Sequence, residues 1–519
     1  MQIGRWDRFE IAVTKDTVYA NPFSDISLNA TFQSPDGQSI PFRGFYDANN
    51  TWKLRFMPDQ LGIWTCEATF SDNTPIFSGT FECVPSNIPG LIHQDPTNPI
   101  WFGHKGGRPI LVRSFHVGDC FFADENNTLA GGVWNPEKRT AFLDWAQSQG
   151  YNMLSIASHY LNRRSEDRGA GWLTPDLWDS DIQQPRTTEY QRLESVLDDL
   201  AQRQILVYPF AGFFGRDANS PTDLENQTAY ILYTLARFAP YWHLLWMVGG
   251  PEPHMKSNPY LTHEAINRIG RLIQDNDPFD HLRSVHNPTG DDAFRNEPWV
   301  SYAILQGPKT VDRIRLGEDH LRNHHPEKPL YAQETLWPGN ILHSRRIGRD
   351  YNHDDIRKNA YVMLFSGAAI NFADMDGLSS SGFSGRPDLS LKKQPVHDII
   401  QRVWDTFETF PFYALRPRPD LVDSGHCLAS DDGHRILIYL ESTEPVTVTI
   451  DGTYRTRWIN PQRPTEHLEE VLTETHSFHP PQNGDDWLLD LIRVGDTLAD
   501  QIHLSWSQDS STTLTVTWH

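Results

Sequence analysis

Between residues 100 and 410, short apolar runs alternate with segments that carry helix signals, and this alternation limits the possible folds more than any other feature. The segment 187–204 has apolar residues three or four positions apart, and Pro136 and Gly150 stand near the start and just past the end of another helical segment. Such strand–helix repetition predicts an α/β fold, a (β/α)₈ barrel. The eight runs are 109–119, 151–159, 204–213, 243–250, 282–288, 300–307, 329–337 and 367–377.

A doubly wound open sheet is the alternative arrangement of alternating strands and helices. Such a sheet usually has a glycine-rich phosphate-binding loop directly after its first strand. Here the first run leads into "SFHVGDCFF" (114–122), which is not a loop of that kind. The barrel is therefore the preferred prediction.

Both flanks of this central region have the pattern of antiparallel β-structure. Residues 1–88 contain short alternating segments separated by turn signals such as Pro-Asp-Gly at 35–37, which predicts a small β-sandwich. The same alternation returns after residue 410 and predicts a second β-sandwich domain. Since 519 residues exceed what one hydrophobic core can organise, we expect three domains, 1–88, 89–410 and 411–519.

The charge and the apolar content exclude several classes of partner. A net charge of −22 argues against nucleic acid, because no basic surface could displace counterions from phosphates. No segment approaches the roughly 20 apolar residues that span a bilayer. The start, "MQIGRWDRFEIAV", lacks the apolar core and cleavage site of a signal peptide, so we expect a cytoplasmic location. Secretion is the alternative if a leader has been removed, and the oligomeric state stays open.

Every run ends in polar or aromatic residues. In a (β/α)₈ barrel the carboxyl ends of the strands form one mouth, where the active site lies. Capping alone does not require so many polar endings, so we predict a site at this mouth. The endings are His116 and Asp119, His159, Phe213 and Phe214, Glu252, His286 and Asn287, Gln306, Glu334 and Trp337, and Asp374 and Asp376.

Two of these endings are the glutamates Glu252 and Glu334, on runs four and seven. Hydrolysis of a glycosidic bond uses two carboxyl groups, one that protonates the leaving oxygen and one that attacks the anomeric carbon or activates water. Each glutamate alone could equally be a capping or salt-bridged residue, but the pair on opposite walls favours catalysis. Pro251 and Pro253 fix the backbone on both sides of Glu252 and would hold its carboxyl group rigidly.

A metal site is the alternative interpretation of the acidic residues. His353, Asp354 and Asp355, with Asp374 and Asp376 further on, form a cluster of metal-ligand types. The first three precede a helical segment, where aspartates commonly serve as caps and dipole partners. The four cysteines are widely spaced and match no zinc pattern, and free buried thiols are favoured over a Cys66–Cys83 disulfide. No metal and no cofactor are expected.

Several motifs resemble the clan A glycoside hydrolases, in particular their apiosidase-like branch. "WMVGGPEP" resembles the strand-four motif of the clan, "KPLYAQETLW" the strand-seven motif, and "SFHVGD" and "SYAILQG" the first and sixth strands of that branch. The segments "YANPFSDISLNATF" and, further on, "WKLRFMPDQLGIWT" resemble the β-sandwich that often precedes such barrels. The segment "RWINPQRPTE" resembles the C-terminal β-domain that often follows them. The resemblance covers nearly the whole chain.

This resemblance implies a role for each strand-end residue. Glu252 would be the acid/base, with a pKa raised so that it stays protonated, and Glu334 the ionised nucleophile. Many clan A enzymes have an asparagine directly before the acid/base that binds the 2-hydroxyl, whereas this chain has Pro251. The 2-hydroxyl would then be bound from elsewhere. Sugar-hydroxyl binding is assigned to His116, Asp119, His159, His286, Asn287, Gln306 and Asp376, and stacking to Trp337.

Each of these assignments has a structural alternative. A lone histidine is more often a satisfied structural residue, and Trp337 could be a core aromatic under a loop. The functional hypothesis is a retaining, exo-acting glycoside hydrolase with a carbohydrate substrate. Its exo preference rests on the apiosidase-like resemblance and on long loops at 120–133 and 160–186. The competing hypothesis is a non-catalytic carbohydrate-binding protein on a barrel scaffold.

Overall fold

The protein is seen here as a computed structural model, and its fold is mixed α/β. The described residues are 1–117, 128–129, 132–133, 136–156, 177–210, 213–215, 220–254, 260–287, 293–307, 310–338, 348–373, 395–473, 476–494, 504–508 and 514–518. The chain divides into two compact units, Met1–Ile356 with Ala368–Gln401, and Arg357–Gly367 with Arg402–His519. The division into three domains at residues 88 and 410 stays a prediction.

The N-terminal region is β-rich, as predicted. Its two sheets face each other through aromatic side chains: Phe32 of one sheet stacks on Phe56 of the other with ring centroids 3.9 Å apart. Alternate residues of Leu28–Gln33 are buried, as expected for a strand with one face in the core. In spatial order the strands are Gln2–Gly4, Pro75–Val84, Gly62–Phe70, Leu28–Gln33 and Ser39–Arg43 in one sheet, and Phe9–Thr14, Thr51–Phe56 and Phe45–Ala48 in the other.

The central region contains parallel strands, and each predicted run includes one of them. Six form a half-barrel sheet in the order three, two, one, eight, seven, six, and strands four and five pair separately, also in parallel. Strand four extends one residue past its predicted run, to Pro251. In chain order the strands are Arg113–Val117, Met153–Ile156, Leu206–Pro209, Trp246–Pro251, Arg283–His286, Ala303–Gln306, Leu330–Leu336 and Ala368–Phe372.

Helices alternate with these strands, and two of them have clear N-terminal caps. Asp223 accepts a hydrogen bond from the backbone N–H of Asn226, and Thr262 accepts one from that of Ala265. These caps satisfy backbone donors that have no partner within the helix. The helices are Pro136–Ser148, Thr187–Gln202, Leu224–Phe238, His263–Asn276, Val311–His324, His353–Phe365 and Pro395–Glu408.

Short antiparallel strands complete the first unit. A three-stranded sheet joins Ile92–Gln94, Phe102–His104 and Arg108–Pro109. Two-stranded pairs are Thr128–Leu129 with Gly132–Val133, and Trp178–Asp179 with Gln184–Pro185. Among the described residues, no helix is both long and apolar enough to cross a membrane.

The second unit is also β-rich, and Trp458 and Trp487 lie in its hydrophobic core. Its antiparallel sheet has the order Arg416–Pro417, His426–Ala429, Arg435–Leu440, Trp487–Arg493, Tyr454–Asn460 and Arg463–Thr473. Further pairs are Val446–Thr447 with Ser477–Phe478 and Leu504–Gln508 with Leu514–Trp518, and 3₁₀ helices span Phe412–Ala414 and Pro419–Leu421. Cys66, Cys83 and Cys427 are buried free thiols.

Candidate active site

The two strand-end glutamates meet at one side chain. Gln306 Nε2 donates hydrogen bonds to Glu252 Oε1 at 3.1 Å and to Glu334 Oε2 at 3.0 Å. Both carboxyl groups are half-buried, and the amide is 8% exposed. Three residues separated by up to 82 positions in the sequence therefore form one polar cluster at the strand ends.

Strand pairing explains why Gln306 reaches Glu334. The two residues are opposite each other in the parallel pairing of strands six and seven, directly after a bulge at Leu305. A bulge changes the direction of the side chain that follows it. Glu252 is fixed from the other side, because its backbone N–H donates to the carbonyl oxygen of His286 at 2.7 Å.

The backbone at Glu252 is unusual. Its φ is +48°, in the left-handed region that non-glycine residues rarely adopt, and it follows Gly249 at +82° and Gly250 at +74°. Positive φ favours glycine at Gly249 and Gly250. Gly215 allows the close approach of this segment, because a Cβ there would lie 2.2 Å from the carbonyl oxygen of Gly249. Strained backbone of this kind persists only where the surrounding structure holds it, and it concentrates at functional sites.

The shared donor also limits the separation of the two carboxyl groups. Since Glu252 Oε1 and Glu334 Oε2 lie 3.1 Å and 3.0 Å from one nitrogen, they are at most about 6 Å apart. The two amide hydrogens of Gln306 point about 120° from each other, which places the two acceptor oxygens roughly 5 Å apart. A sugar ring atom fits between groups at this distance.

Apiosidase-like catalytic domains are the known family that this central region matches. The family model of that name covers residues 131–371, which include Glu252, Gln306 and Glu334, and residues 2–71 match a domain of unknown function, DUF5060. The chain carries an apiosidase-like catalytic domain and is a glycoside hydrolase. Carbohydrates are accordingly its class of substrate.

Two solved structures share the fold of this chain. A protein of Bacteroides vulgatus ATCC 8482 described as a candidate glycoside hydrolase is 18% identical, with a TM-score of 0.75 over 95% of this chain and 100% of its own. A glycoside hydrolase family 5 protein of the same organism is 16% identical, with a TM-score of 0.59 over 79% and 94%. At such identities the likeness shows the fold alone, and no curated protein matches the chain.

An aromatic layer lies beside the carboxyl groups of this glycoside hydrolase. His116 stacks on Trp337 with ring centroids 4.3 Å apart and planes 29° from parallel. Phe210 makes edge contacts with His116, His286 and Trp337. These rings come from the ends of strands one, three, five and seven, and all are buried.

A buried hydrogen-bond network joins the two histidines of this layer across the strands. His286 Nε2 lies 2.8 Å from Gln333 Oε1, Gln333 Nε2 donates to Ser155 Oγ at 3.3 Å, and Ser155 Oγ lies 3.2 Å from His116 Nδ1. Because Gln333 Oε1 can only accept, His286 is protonated on Nε2, whereas the Ser155 hydroxyl can donate to or accept from His116 Nδ1. The network thus fixes the ring orientations of both histidines.

Tyr208 lies close enough to Glu334 to respond to its charge. Burial, followed by the neighbouring Tyr302, Tyr331 and Glu334, raises the pKa of Tyr208 well above its ordinary value. Its hydroxyl therefore stays protonated and donates to the sulfur of Met247 at 3.1 Å. A neutral phenol beside Glu334 adds no charge that would oppose ionisation of that carboxyl group.

The remaining predicted residues are placed as follows. Asn287 is buried, and its Oδ1 has no hydrogen-bond partner among the described residues, while Trp337 is fully buried against His116. The sugar-binding and stacking roles of these residues stay predictions. Asp119, His159, Asp374 and Asp376 lie outside the described residues.

Sequence reasoning missed three residues of the site: Ser155, Phe210 and Gln333. Phe210 directly follows strand three, but the expected run ending fell on Phe213 and Phe214, which pack instead against Trp246. Gln333 directly precedes Glu334 in strand seven, and the prediction from the strand ending selected only the glutamate. A polar residue inside an otherwise apolar run was the signal that could have identified both Ser155 and Gln333.

The predicted metal-type cluster begins a helix. His353, Asp354 and Asp355 form the first turn of His353–Phe365, where Asp355 pairs with Arg349 and accepts from the backbone N–H of Asn352 at 2.8 Å. Among the described residues, no group of three or more potential ligands could hold a metal ion.

Proposed function

We propose that the chain is a retaining glycoside hydrolase in which Glu334 is the nucleophile and Glu252 the acid/base. The observation that carries this proposal is the shared donor Gln306 Nε2, which keeps one oxygen of each glutamate within about 6 Å of the other. Retaining enzymes have carboxyl groups about 5–5.5 Å apart, whereas inverting enzymes need about 6.5–9.5 Å to admit water.

The first step forms a glycosyl-enzyme. A carboxylate oxygen of Glu334 bonds to the anomeric carbon while the glycosidic C–O bond breaks, and its electron pair goes to the leaving oxygen. That oxygen takes the proton from the Glu252 carboxyl group. The pair of glutamates thus begins with one proton. After the aglycone has left, Glu334 is esterified and Glu252 is ionised until the second step.

The second step returns both carboxyl groups to their initial states. The Glu252 carboxylate removes a proton from a water molecule, the water oxygen bonds to the anomeric carbon, and the ester bond to Glu334 breaks. Two inversions at the anomeric carbon give overall retention.

We also propose that strands one to eight close into a complete barrel. Two backbone contacts support closure at the edges of the half-barrel sheet: Leu245 N–H donates to the carbonyl oxygen of Val207 at 3.1 Å, and Ser301 N–H to that of Arg283 at 2.9 Å. They link strand three to the residue before strand four, and strand five to the segment before strand six. The exo-acting preference and a C-terminal β-sandwich belong to the same proposal.

Proton NMR of the first-formed product tests the mechanism. A panel of α- and β-linked aryl glycosides identifies a substrate, and spectra taken before mutarotation give the anomer released. We expect the product to have the configuration of the substrate. Release of the opposite anomer would establish inversion, and an enzyme that binds these glycosides but turns none over would favour the non-catalytic alternative.

A further inference from the structure

We infer that Gln306 is a positioning residue that holds the carboxyl groups of Glu252 and Glu334 in place through one side-chain nitrogen. Its two hydrogen bonds end on Glu252 Oε1 and on Glu334 Oε2. This inference rests on the proposed function, and it assigns Gln306 a contact with the catalytic groups in place of the predicted contact with the sugar.

The geometry of a primary amide supports this assignment. The side-chain nitrogen of Gln306 carries two hydrogens in one plane and accepts nothing, so both of its bonds in the cluster go to carboxyl oxygens. Burial and the strand pairing opposite Glu334 restrict the movement of the amide. One rigid group therefore sets the position of both carboxyl groups.

The chemistry follows from the direction of the two bonds. An N–H bond donated to a carboxyl oxygen favours the ionised form of that carboxyl group, so Gln306 favours ionisation of both Glu252 and Glu334. A neutral donor can do this for both glutamates without adding a charge or exchanging a proton with either.

Other titratable side chains lie on or directly after the strands that end at the pair. Within the described residues they are Tyr208 on strand three, His286 on strand five, His116 on strand one, and His254, which follows Glu252 by two residues. Tyr208 is held neutral by burial, and the ring positions of His286 and His116 are fixed by the Gln333–Ser155 network. None of these residues touches both carboxyl groups through one atom in the described hydrogen bonds.

Replacing Gln306 by leucine removes both donors at similar volume, and Gln94→Leu is the matched control. Gln94 also donates twice through its side-chain nitrogen, but to the backbone carbonyls of Ser301 and Glu327. For Gln306→Leu we expect kcat to fall roughly 10- to 100-fold, as for a misplaced catalytic group. Both limbs of the pH profile should move to higher pH, because loss of a donor to a carboxylate raises its pKa. Gln94→Leu should leave both limbs in place.

Carboxyl ¹³C NMR titration of glutamate-labelled protein measures the same property without turnover. The two relevant resonances are those that disappear in Glu252→Gln and Glu334→Gln. In Gln306→Leu both resonances should titrate at higher pH than in the wild type. Gln306→Glu keeps the shape of the native side chain but repels carboxylates. It should therefore move the pH profile of activity further toward high pH.

The outcomes separate the inference from the proposed function. Unchanged resonances and an unchanged pH profile in Gln306→Leu, with a wild type that hydrolyses glycosides with retention, would overturn the inference alone. The opposite outcome is also distinguishable. If the resonances shift in Gln306→Leu but the wild type hydrolyses no glycoside, the anchoring of both carboxyl groups is supported and the proposed function fails.

Discussion

Two polar clusters in the first unit stabilise ionisable side chains in different ways. The ionic cluster, consisting of Arg55, Arg237, Glu194 and Asp47, joins the N-terminal β-rich region to helices Thr187–Gln202 and Leu224–Phe238. There each charge meets an opposite charge. At the active site two groups of the same charge type share one neutral amide.

The ionic cluster is satisfied by direct pairing. Arg237 is fully buried and donates to Glu194 Oε1 and to Asp47 Oδ1, both at 2.7 Å. Arg55 donates to the same Glu194 at 2.6 Å, and Lys53 pairs with Asp47 at 2.9 Å. Burial alone would raise the pKa of Glu194, but the charges of Arg237 and Arg55 outweigh it and hold that pKa below its usual value.

Stability and reactivity depend on different clusters of this unit. Paired charges keep their ionisation state over a wide pH range and hold two parts of the fold together. Two carboxyl groups beside one neutral donor keep opposite protonation states easily, because ionisation of one disfavours ionisation of the other. Substitutions in the ionic cluster should therefore affect folding, and substitutions at the site should affect turnover.

The largest effect is expected for Glu334→Gln. The amide keeps the shape of the side chain but cannot form the covalent intermediate, so activity should fall by several orders of magnitude while the melting temperature changes little. Hydrolysis rates on the best aryl glycoside and thermal unfolding measure the two quantities. Activity near that of the wild type would refute the assignment of the nucleophile.

Glu252→Ala should produce a loss that depends on the leaving group. Dinitrophenolate leaves without protonation, so its glycosides should still form the intermediate, whereas poor leaving groups should lose roughly 10²–10⁴-fold. Added azide should replace water in the second step and yield a glycosyl azide. An equal loss on good and poor leaving groups, with no azide product, would exclude Glu252 as the acid/base.

Arg237→Met should test the other side of the comparison. Removing one member of a buried ionic cluster leaves uncompensated charge and costs about 3–5 kcal/mol, seen as a lower denaturation midpoint. Residual activity below the transition should stay close to that of the wild type. The control is Arg315→Met, because Arg315 and Asp312 are 49% and 84% exposed and pair at 3.6 Å on the surface of a helix. That pair should contribute less than about 1 kcal/mol.

The smallest effects are expected for a pair of glycine substitutions. Gly249→Ala and Gly37→Ala both place a side chain at positive φ, at +82° and +90°, and each should cost about 1–2 kcal/mol of stability. The new Cβ of Gly249→Ala would also lie 3.2 Å from Pro253, next to Glu252, whereas that of Gly37→Ala meets nothing within 4 Å. Only Gly249→Ala should lower kcat, by roughly tenfold. Equal kcat in both variants would mean that the backbone at Glu252 tolerates displacement.

Periodicity in the sequence was enough to predict the strands and the residues at their ends. Parallel strands place their carboxyl ends together, so Glu252, Gln306 and Glu334 could be expected at one mouth from their positions in the runs. The shared nitrogen could not be predicted, because it depends on the bulge at Leu305 and on the register of strands six and seven. A shift of one residue would turn Gln306 away.

The ionic cluster was not predicted at all. Arg55 lies in a strand whose last three residues are all buried, and Glu194 and Arg237 lie on helices, whereas charged residues usually face solvent. The pairs of the cluster span up to 190 positions of the sequence, from Asp47 to Arg237, and no local pattern records such a contact. The left-handed backbone of Glu252 also escaped prediction, because prolines on both sides indicate a fixed φ only for themselves.

The backbone conformation of Glu252 implies a trade-off between thermal stability and activity. A glutamate at φ +48° costs about 1–2 kcal/mol relative to glycine, which adopts this conformation without penalty. Glu252→Gly should thus melt at a higher temperature than the wild type while losing its acid/base. At this position the more stable variant would be the inactive one. Selection for thermal stability alone would therefore favour loss of the catalytic residue.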